Sequence, residues 1–350
     1  MMTGVPIDPG TRALIAAVDG RPDAMVSLAL TLLLPRGLDE AAGRLCEAAV
    51  ALAPDNRDIA ARVRRVRSAG VAKWYFTMVQ DSRRHALYAD ALRRVMPVDA
   101  TVLDIGAGTG LFAMLAAREG AARVIGCECN PAVAAAATAI VAKNGYADRV
   151  TIVAKDALDL HVGADLAAPA DMLLWDNLAN NLIGAGGLKT VEDARARLLR
   201  PDAVIMPYRA EIMVGLMTHS GPADYAMGVV DGFDMTPFND LGVSHDTPDR
   251  RVVALRSNGA AIFDMDFTGP AIAPSQHEVT VRATAGSVHG IVQWIRFHLA
   301  ENIIYDTMDE SVRAFELEVT PVEPFDVEDG QAIVICGRHD RNAPWFWLKA

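Results

Sequence analysis

Residues 101–111, Thr-Val-Leu-Asp-Ile-Gly-Ala-Gly-Thr-Gly-Leu, decide the fold prediction. A short apolar run leads into Asp104, the glycines Gly106, Gly108 and Gly110 follow, and an Ala- and Leu-rich stretch comes next. This order is typical of a buried strand that ends in a tight turn and opens a helix. Glycines let a backbone approach a ligand where a Cβ would clash, and a helix start leaves N–H groups unpaired. The stretch therefore predicts a ligand site at the end of a strand.

The spacing of the glycines distinguishes between two kinds of nucleotide ligand. Dinucleotide sites use G-x-G-x-x-G, which places pyrophosphate on the helix N-terminus. Here the spacing is G-x-G-x-G, with an acid two residues before the first glycine. A carboxylate beside the turn repels pyrophosphate and suits a ligand that carries an ammonium and a sulfonium. The pattern resembles motif I of the class I S-adenosylmethionine (AdoMet) methyltransferases, which implies AdoMet as cofactor; a glycine turn without a ligand is the alternative.

Composition limits the classes of function. The chain has 350 residues, of which 51% are hydrophobic and 22% charged, with a formal net charge of −11. These values favour two or three globular domains. The negative net charge does not favour binding to nucleic acid or to an anionic membrane. The four cysteines form no disulfide framework or metal-ligand pattern, so we expect no metal. Without a signal-peptide pattern or a membrane-spanning apolar run, we expect a cytoplasmic protein.

The chain divides into three segments by periodicity. Residues 1–72 predict helices, and residues 38–56 resemble the second helix and exit turn of a tetratricopeptide repeat; a helical cap on the next domain and a protein-docking module are the alternatives. Over residues 73–206 strands and helices alternate, which predicts a Rossmann-like parallel sheet covered on both faces. Residues 207–350 predict antiparallel strands in a barrel or sandwich, including one strand over residues 312–320.

Acids follow the predicted strands where open α/β sheets bind ligands, at the carboxyl ends near the switch point. Glu128 ends the second strand and can accept hydrogen bonds from both hydroxyls of a ribose; a solvated strand-end glutamate is the alternative. Asp156 follows the third strand and can accept from an adenine amino group or cap a helix. Together with the glycine turn, Glu128 favours a nucleoside site.

The stretch after the fourth predicted strand faces the methyl donor, so we expect it to set the acceptor chemistry. Methyl transfer is an in-line displacement on an activated sulfonium, and the protein mainly aligns the acceptor and keeps its lone pair free. Asp176 can hold or deprotonate a nitrogen acceptor. The amides of Asn177, Asn180 and Asn181 can orient one without adding charge, or they can make turns and cap the next helix.

Several of these stretches resemble the protein arginine methyltransferase family, nearest its type III and tandem-domain members. The resemblance covers about residue 74 to the C-terminus and implies an AdoMet-binding domain followed by a β-barrel. It also implies that Arg84 binds the carboxylate of the donor and Glu128 its ribose, with Met78 and Asp104 lining the donor pocket. The stretches are VLDIGAGTG at 102–110, VIGCE at 124–128, VAKNG at 141–145, DNLANNLIGAGGL at 176–188, MPYRAEI at 206–212, DGFDMTPFN at 231–239 and VHGIVQWIRFHL at 288–299.

Two departures from the family pattern concern the acceptor. The family places two glutamates on the loop after the fourth strand; the first falls at Asp176 and the second at Ala185, which has no carboxylate. The family's threonine-histidine-tryptophan loop has no counterpart near residues 309–315. Desolvating a guanidinium beside one carboxylate instead of two costs several kcal/mol. The sequence thus leaves the acceptor open among protein, peptide and small molecule.

The sequence predicts an AdoMet-dependent methyltransferase that moves a methyl group to a nitrogen acceptor. The alternative is a catalytically degenerate methyltransferase fold that serves as a scaffold or an AdoMet-binding interaction protein. Family members pair through an arm on the barrel, so the resemblance implies a homodimer, although the matching stretch at residues 221–239 is short. We expect neither a nucleic-acid nor a membrane partner.

Overall fold

The computed structural model describes residues 7–176, 178–219, 228–241, 247–248 and 250–349. Three sections follow one another along the chain: a group of helices, an α/β section with a parallel sheet, and a section of antiparallel strands. None of the described helices is both long and apolar enough to cross a membrane.

The helical section has a hydrophobic core of its own, separate from the main core. Asp8 and Asn56 cap its first and last helices, because their side chains accept hydrogen bonds from backbone N–H groups of the first turn. Gly37 turns the chain in a left-handed conformation, with φ at 69°. The helices are α1 (Pro9–Ala17), α2 (Pro22–Leu28), α3 (Asp39–Leu52) and α4 (Arg57–Ala69), with a π-helical turn at Ala29–Leu33 and a 3-10 turn at Leu34–Arg36.

The α/β section contains the parallel sheet that the alternation predicted. Its elements are α5 (Trp74–Met78), α6 (Ser82–Val95), β1 (Thr101–Ile105), α7 (Leu111–Arg118), β2 (Arg123–Glu128), α8 (Pro131–Lys143), β3 (Val150–Ala154), β4 (Ala170–Trp175), α9 (Gly187–Arg197) and β5 (Leu199–Met206), with 3-10 turns at Ala157–Asp159 and Gly184–Gly186. The strand order is β3-β2-β1-β4-β5. Because this order reverses at β1, the carboxyl ends of β1, β2 and β4 border one crevice.

The third section consists of antiparallel strands in two larger sheets and one hairpin. Its strands are β6 (Arg209–His219), β7 (Val229–Val230), β8 (Phe233–Asp234), β9 (Val253–Leu255), β10 (Ala260–Asp266), β11 (Ser275–Arg282), β12 (Gly286–Ala300), β13 (Ile303–Asp306), β14 (Glu318–Val327), β15 (Ala332–His339) and β16 (Pro344–Leu348), with 3-10 turns at Thr236–Leu241 and Arg250–Val252. One sheet has the order β10-β6-β12-β13, with β9 on β6 and β14 on β12; the other is β11-β15-β16. Since β10 contacts β11 and β14 contacts β16, the sheets meet along both edges and curl into a barrel-like domain.

The strand predicted over residues 312–320 is wrong up to Leu317, because β14 begins at Glu318. The apolar side chains of this stretch are buried between exposed polar ones, which produces the strand-like pattern in the sequence. The N–H groups of Arg313 and Ala314, however, donate to a carboxylate of the α/β section and to no neighbouring strand among the described residues. The burial of apolar side chains therefore gave residues 312–317 the sequence pattern of a strand, although they pair with no strand among the described residues.

That carboxylate belongs to Asp81, which precedes α6 and is almost completely buried. Its Oδ1 accepts from the backbone N of Arg84 at 2.9 Å. Its Oδ2 accepts from the Tyr305 hydroxyl at 2.7 Å and from the backbone N of Arg313 and Ala314 at 2.8 and 3.1 Å. Burial on its own raises the pKa of Asp81, but these hydrogen bonds outweigh it and hold the pKa below its usual value. One anion thus ties the start of α6 to the barrel-like domain.

A second joint lies at the end of β4, where the sheet meets the first barrel strand. The indole N–H of Trp175 donates to the backbone oxygen of Pro207 at 3.1 Å, and its ring packs edge-on against Phe267 at 4.8 Å. Trp175 is completely buried. Because it immediately precedes Asp176, this packing sets where the predicted acceptor residue leaves the sheet.

We predict that Asp81→Ala lowers the free energy of unfolding by about 3 kcal/mol or more, because it leaves buried donors without an acceptor. The matched control is Asp90→Ala on the same helix, where an exposed pair with Arg94 is lost. Because the folded-state pKa of Asp81 is lowered, its contribution is present above the unfolded pKa near 4 and disappears as the pH falls through the folded value. Urea unfolding at several pH values measures both effects; equal losses in the two variants would contradict the assignment.

Candidate active site

A cavity of about 290 Å³ opens at the crevice where β1, β2 and β4 end. Its volume is close to the lower end of the range for small-molecule sites. The wall combines side chains of α5 and α6 with the glycine turn and the ends of β2, β3 and β4. The lining residues that the sequence predicted are Met78, Arg84, Gly106, Gly108, Glu128, Asp156 and Asp176.

The glycine turn at the end of β1 uses left-handed backbone at Gly106, Gly108 and Gly110, with φ values of 80°, 54° and 77°. A Cβ on Gly108 would lie 3.6 Å from the Tyr75 ring, and its positive φ would strain any side-chain-bearing residue. Gly110 begins α7 and does not line the cavity. The turn therefore brings bare backbone to the wall of the cavity.

Glu128 is held at the end of β2 by donors from three directions. Its Oε2 accepts from the backbone N of Gly108 at 3.0 Å, and its Oε1 accepts from the backbone N of Asn130 at 2.8 Å. The Tyr75 hydroxyl also donates to Oε1, at 3.3 Å. The carboxylate is 3% exposed and lines the cavity. Its position fits a group that receives hydrogen bonds from ligand hydroxyls.

Arg84 and Asp176 form an ion pair on the cavity wall, with side chains only 4% and 8% exposed. The Arg84 guanidinium also lies 4.4 Å from the centre of the Phe112 ring. Its Nε and the Oδ1 of Asp176 have no hydrogen-bond partner among the described residues. A buried polar atom without a partner is costly, so both atoms fit a polar ligand in the cavity.

Asp104 lies at the end of β1, next to the glycine turn. It is completely buried behind the glycine turn, receives a hydrogen bond from the backbone of Ala113 in α7, and is not part of the cavity wall. Burial raises the pKa of Asp104 to about 7, against the N–H of Ala113 and the charge of Arg84, which lower it. Its Oδ2 has no hydrogen-bond partner among the described residues, so the expectation that Asp104 lines the donor pocket stays a prediction.

The remaining predicted residues differ in their surroundings. Asp156 lines the cavity and also caps the 3-10 turn after β3, because its Oδ1 accepts from the backbone N of Leu158 at 2.9 Å. Asn181 makes a turn by accepting from the backbone N of Gly184 at 2.8 Å, and it is not on the cavity wall. Asn177 lies outside the described residues.

Sequence reasoning missed four aromatic side chains of the wall: Trp74, Tyr75, His85 and Phe112. The run Trp74-Tyr75-Phe76 was an available signal, and two of its three side chains, Trp74 and Tyr75, line the cavity. His85 lies with its Nε2 3.2 Å from the backbone oxygen of Met78, and burial lowers its pKa.

Comparisons with known proteins place this geometry in context. A family model described as a methyltransferase domain matches residues 102–202. The arginine N(omega)-methyltransferase of Streptomyces achromogenes subsp. streptozoticus is 30% identical over 272 residues, covering 76% of this chain and 75% of that protein. Protein arginine N-methyltransferase 7 of Oryza sativa subsp. indica is 30% identical over 264 residues, covering 67% of this chain and 36% of that protein. This chain thus spans about a third of the second relative.

Solved structures show the same fold. An enzyme–prozyme heterotetrameric complex of protein arginine methyltransferase 1 from Trypanosoma brucei, with AdoHcy, matches with a TM-score of 0.66 and 25% identity over 75% of this chain and 86% of that one. Protein arginine methyltransferase 10 of Arabidopsis thaliana matches with a TM-score of 0.60 and 16% identity over 77% of this chain and 96% of that one. Both the sheet and the barrel-like domain fall within an architecture already seen in that family.

The raised pKa of Asp104 gives a pH-dependent stability. Between its unfolded pKa near 4 and its folded pKa of about 7, the folded state binds the proton more tightly, so stability falls as the pH rises. We predict that Asp104→Asn removes this loss, and that its stability relative to wild type increases by roughly 1–3 kcal/mol between pH 5 and pH 8. Exposed Asp148→Asn serves as control. The free energy of unfolding is measured at several pH values. A difference between wild type and Asp104→Asn that stays constant from pH 5 to pH 8 would refute the prediction.

Proposed function

Because this chain belongs to the protein arginine methyltransferase family of class I AdoMet-dependent enzymes, we propose that it methylates a guanidinium nitrogen of arginine. The observation that carries the proposal is Asp176, a buried carboxylate at the end of β4 with one oxygen free of hydrogen bonds among the described residues. The names of the relatives support arginine as the acceptor. One is named for arginine and another for protein arginine, so both forms are candidate substrates.

The cavity wall fits AdoMet in three places. The Nε of Arg84, buried without a hydrogen-bond partner in the described chain, is suited to the carboxylate of the donor. Glu128 can accept hydrogen bonds from the ribose hydroxyls, and Asp156 has an oxygen left for the adenine amino group after capping its turn. Gly106, Gly108 and Met78 complete the donor wall. When bound, AdoMet supplies a methyl group on a sulfonium that needs no further activation.

On the acceptor side, Asp176 is the group that can hold a guanidinium. Its backbone N donates to the oxygen of Ile105 at 3.1 Å, which fixes the acid beside the end of β1. A guanidinium has a pKa above 12, so its nitrogen must be aligned and its charge balanced before it can act as a nucleophile. The free Oδ1 can accept an N–H from the acceptor and take up the proton that leaves after transfer.

We also propose the domain roles that the sequence predicted. The separate core of the helices supports residues 1–72 as a unit of its own, ahead of the AdoMet-binding domain at 73–206 and the β-barrel domain at 207–350. The β7–β8 hairpin exposes Val229 and Phe233, which supports a homodimer built through this arm, although residues 220–227 lie outside the described chain. The repeat-like role of the helices and the cytoplasmic location stay predictions.

The scaffold alternative has only the two sequence departures in its favour: the alanine at position 185 and the missing counterpart of the threonine-histidine-tryptophan loop. The cavity, Glu128 and the Arg84–Asp176 pair are all present, and the first relatives are named as methyltransferases. Donor binding without turnover is the outcome that would separate this alternative from the proposed function.

The donor assignment predicts that Glu128→Ala weakens AdoHcy binding at least tenfold, about 1.4 kcal/mol, because the ribose hydroxyls lose their acceptor. Calorimetric titration of AdoHcy measures this affinity. Glu301→Ala, which removes an exposed glutamate at the β12–β13 turn, is the control and should bind like wild type. Unchanged affinity in Glu128→Ala would rule out the pocket assignment.

The acceptor assignment predicts that Asp176→Asn lowers kcat on arginine probes about a hundredfold without weakening AdoHcy binding, because it removes the proton acceptor and keeps the shape. Labelled AdoMet with free L-arginine, an arginine-containing peptide and a cell extract resolved by size identifies the substrate class. Wild-type protein that binds AdoHcy but methylates none of these would refute catalysis and favour the scaffold.

A further inference from the structure

Lys189 is a residue of the active-site cavity that the proposed donor and acceptor contacts leave unused. It lies in the first turn of α9, which begins directly after residues 176–186. We call residues 176–186 the acceptor loop, because Asp176 begins this stretch. Lys189 borders the same cavity as Asp176, so a single ligand site contains both residues.

Three lysine or arginine residues border this cavity, and they differ in their partners. Arg84 pairs with Asp176, and Lys155 pairs with Asp165. Lys189 is exposed and makes no hydrogen bond or ion pair in the part of the chain that the structure describes. Its positive charge is therefore not compensated by any carboxylate of the described chain.

The surroundings of Lys189 on α9 add to this excess of positive charge. The first turn of the helix contains no acid. Glu192, three residues further on, pairs with Arg341. Asp193, four residues further on, pairs with Arg197. Because the N-terminus of a helix also carries a partial positive charge, a cation is unfavourable at this position unless an anion approaches it.

The acceptor end of the cavity has little negative charge to offset these cations. Asp176 is the single acid in the sequence of the acceptor loop, and it already compensates Arg84. A guanidinium that enters alone would add a third positive charge, to those of Arg84 and Lys189, beside one carboxylate. Free arginine carries its own α-carboxylate, which can bind Lys189 while the guanidinium binds Asp176. The cavity therefore fits an acceptor with both charges better than one with the cation alone.

The carboxylate of AdoMet has a different partner in the proposed function. It binds the Nε of Arg84, which lies on α6, whereas Lys189 lies on α9 next to the acceptor loop. A lysine carries its compact charge on a flexible four-carbon stem, so the ammonium can adjust to a carboxylate that enters the cavity. The anion that Lys189 lacks is thus assigned to the acceptor.

We propose that Lys189 binds the α-carboxylate of a free amino-acid acceptor, and that it selects free L-arginine over an arginine inside a peptide, whose carboxyl group is part of an amide. The inference rests on the proposed function, since it assumes that Asp176 holds the guanidinium. The α-carboxylate is remote from the reacting nitrogen, so Lys189 stabilises the bound substrate and the transition state equally. Such a residue changes KM and leaves kcat nearly constant.

The test compares L-arginine with L-argininamide, in which an amide replaces the carboxylate while the guanidinium and the ammonium stay. Initial rates are measured with labelled AdoMet for wild type, Lys189→Gln and the control Lys143→Gln, an exposed lysine in the last turn of α8. We expect wild type to have an at least tenfold higher kcat/KM on L-arginine than on L-argininamide. Lys189→Gln should raise the KM of L-arginine at least tenfold, with kcat and the rates on L-argininamide within threefold of wild type; Lys143→Gln should match wild type.

Calorimetric titration of AdoHcy keeps the outcomes distinct, because AdoHcy has the carboxylate of the donor and none from an acceptor. Lys189→Gln should bind it within threefold of wild type; a tenfold loss would assign Lys189 to the donor and overturn the inference. A wild type that methylates L-argininamide or an arginine-containing peptide at least as well as L-arginine would also overturn the inference, while the proposed function stands. If wild type binds AdoHcy and methylates none of these probes, the proposed function fails and the inference fails with it.

Discussion

The buried carboxylate of Asp81 is the constraint on which the site depends. A charge removed from water must find donors, and Asp81 finds one in its own helix and three in the barrel-like domain. These bonds set the start of α6, which carries Arg84 to the cavity, and they hold the backbone of Arg313 and Ala314 in the connection between β13 and β14. One anion thus positions both the donor-side cation and this connection of the barrel-like domain.

The charges in the crevice are arranged by burial as much as by pairing. Arg84 and Asp176 compensate each other in a site almost closed to solvent, and both keep polar atoms without a hydrogen bond within the described chain. Asp104 forms no ion pair within the described chain, so burial raises its pKa to about 7 although the charge of Arg84 lowers it. The aspartate that contacts a guanidinium and the one that does not therefore lie in different electrostatic surroundings.

Much of the candidate site could be predicted from local sequence. The glycine turn, Glu128 and Asp156 follow strands at positions where any parallel sheet of this order exposes backbone and side chains to a ligand. The roles of the asparagines after β4 were harder to predict, because a turn and a ligand contact use the same side-chain groups. In the structure Asn181 makes a turn, and Asn180 binds Glu316. The stretch before Glu318 could not be distinguished from a strand, because its N–H partners lie more than two hundred residues away in sequence.

The sequence by itself determined the alternation of strands and helices along the chain, the glycine turn after β1 and the kind of cofactor. These follow from periodicity and glycine spacing, which are local properties of the chain. Only the tertiary structure decided which charges meet. Arg84 and Asp176 lie far apart in sequence and touch in the fold, Asp104 lies beside the turn in sequence and is covered by α7, and Asn180 reaches Glu316 across two domains. The physical reason is that a carboxylate's chemistry depends on its neighbours in space, and these are set by how the sheet and the barrel-like domain pack.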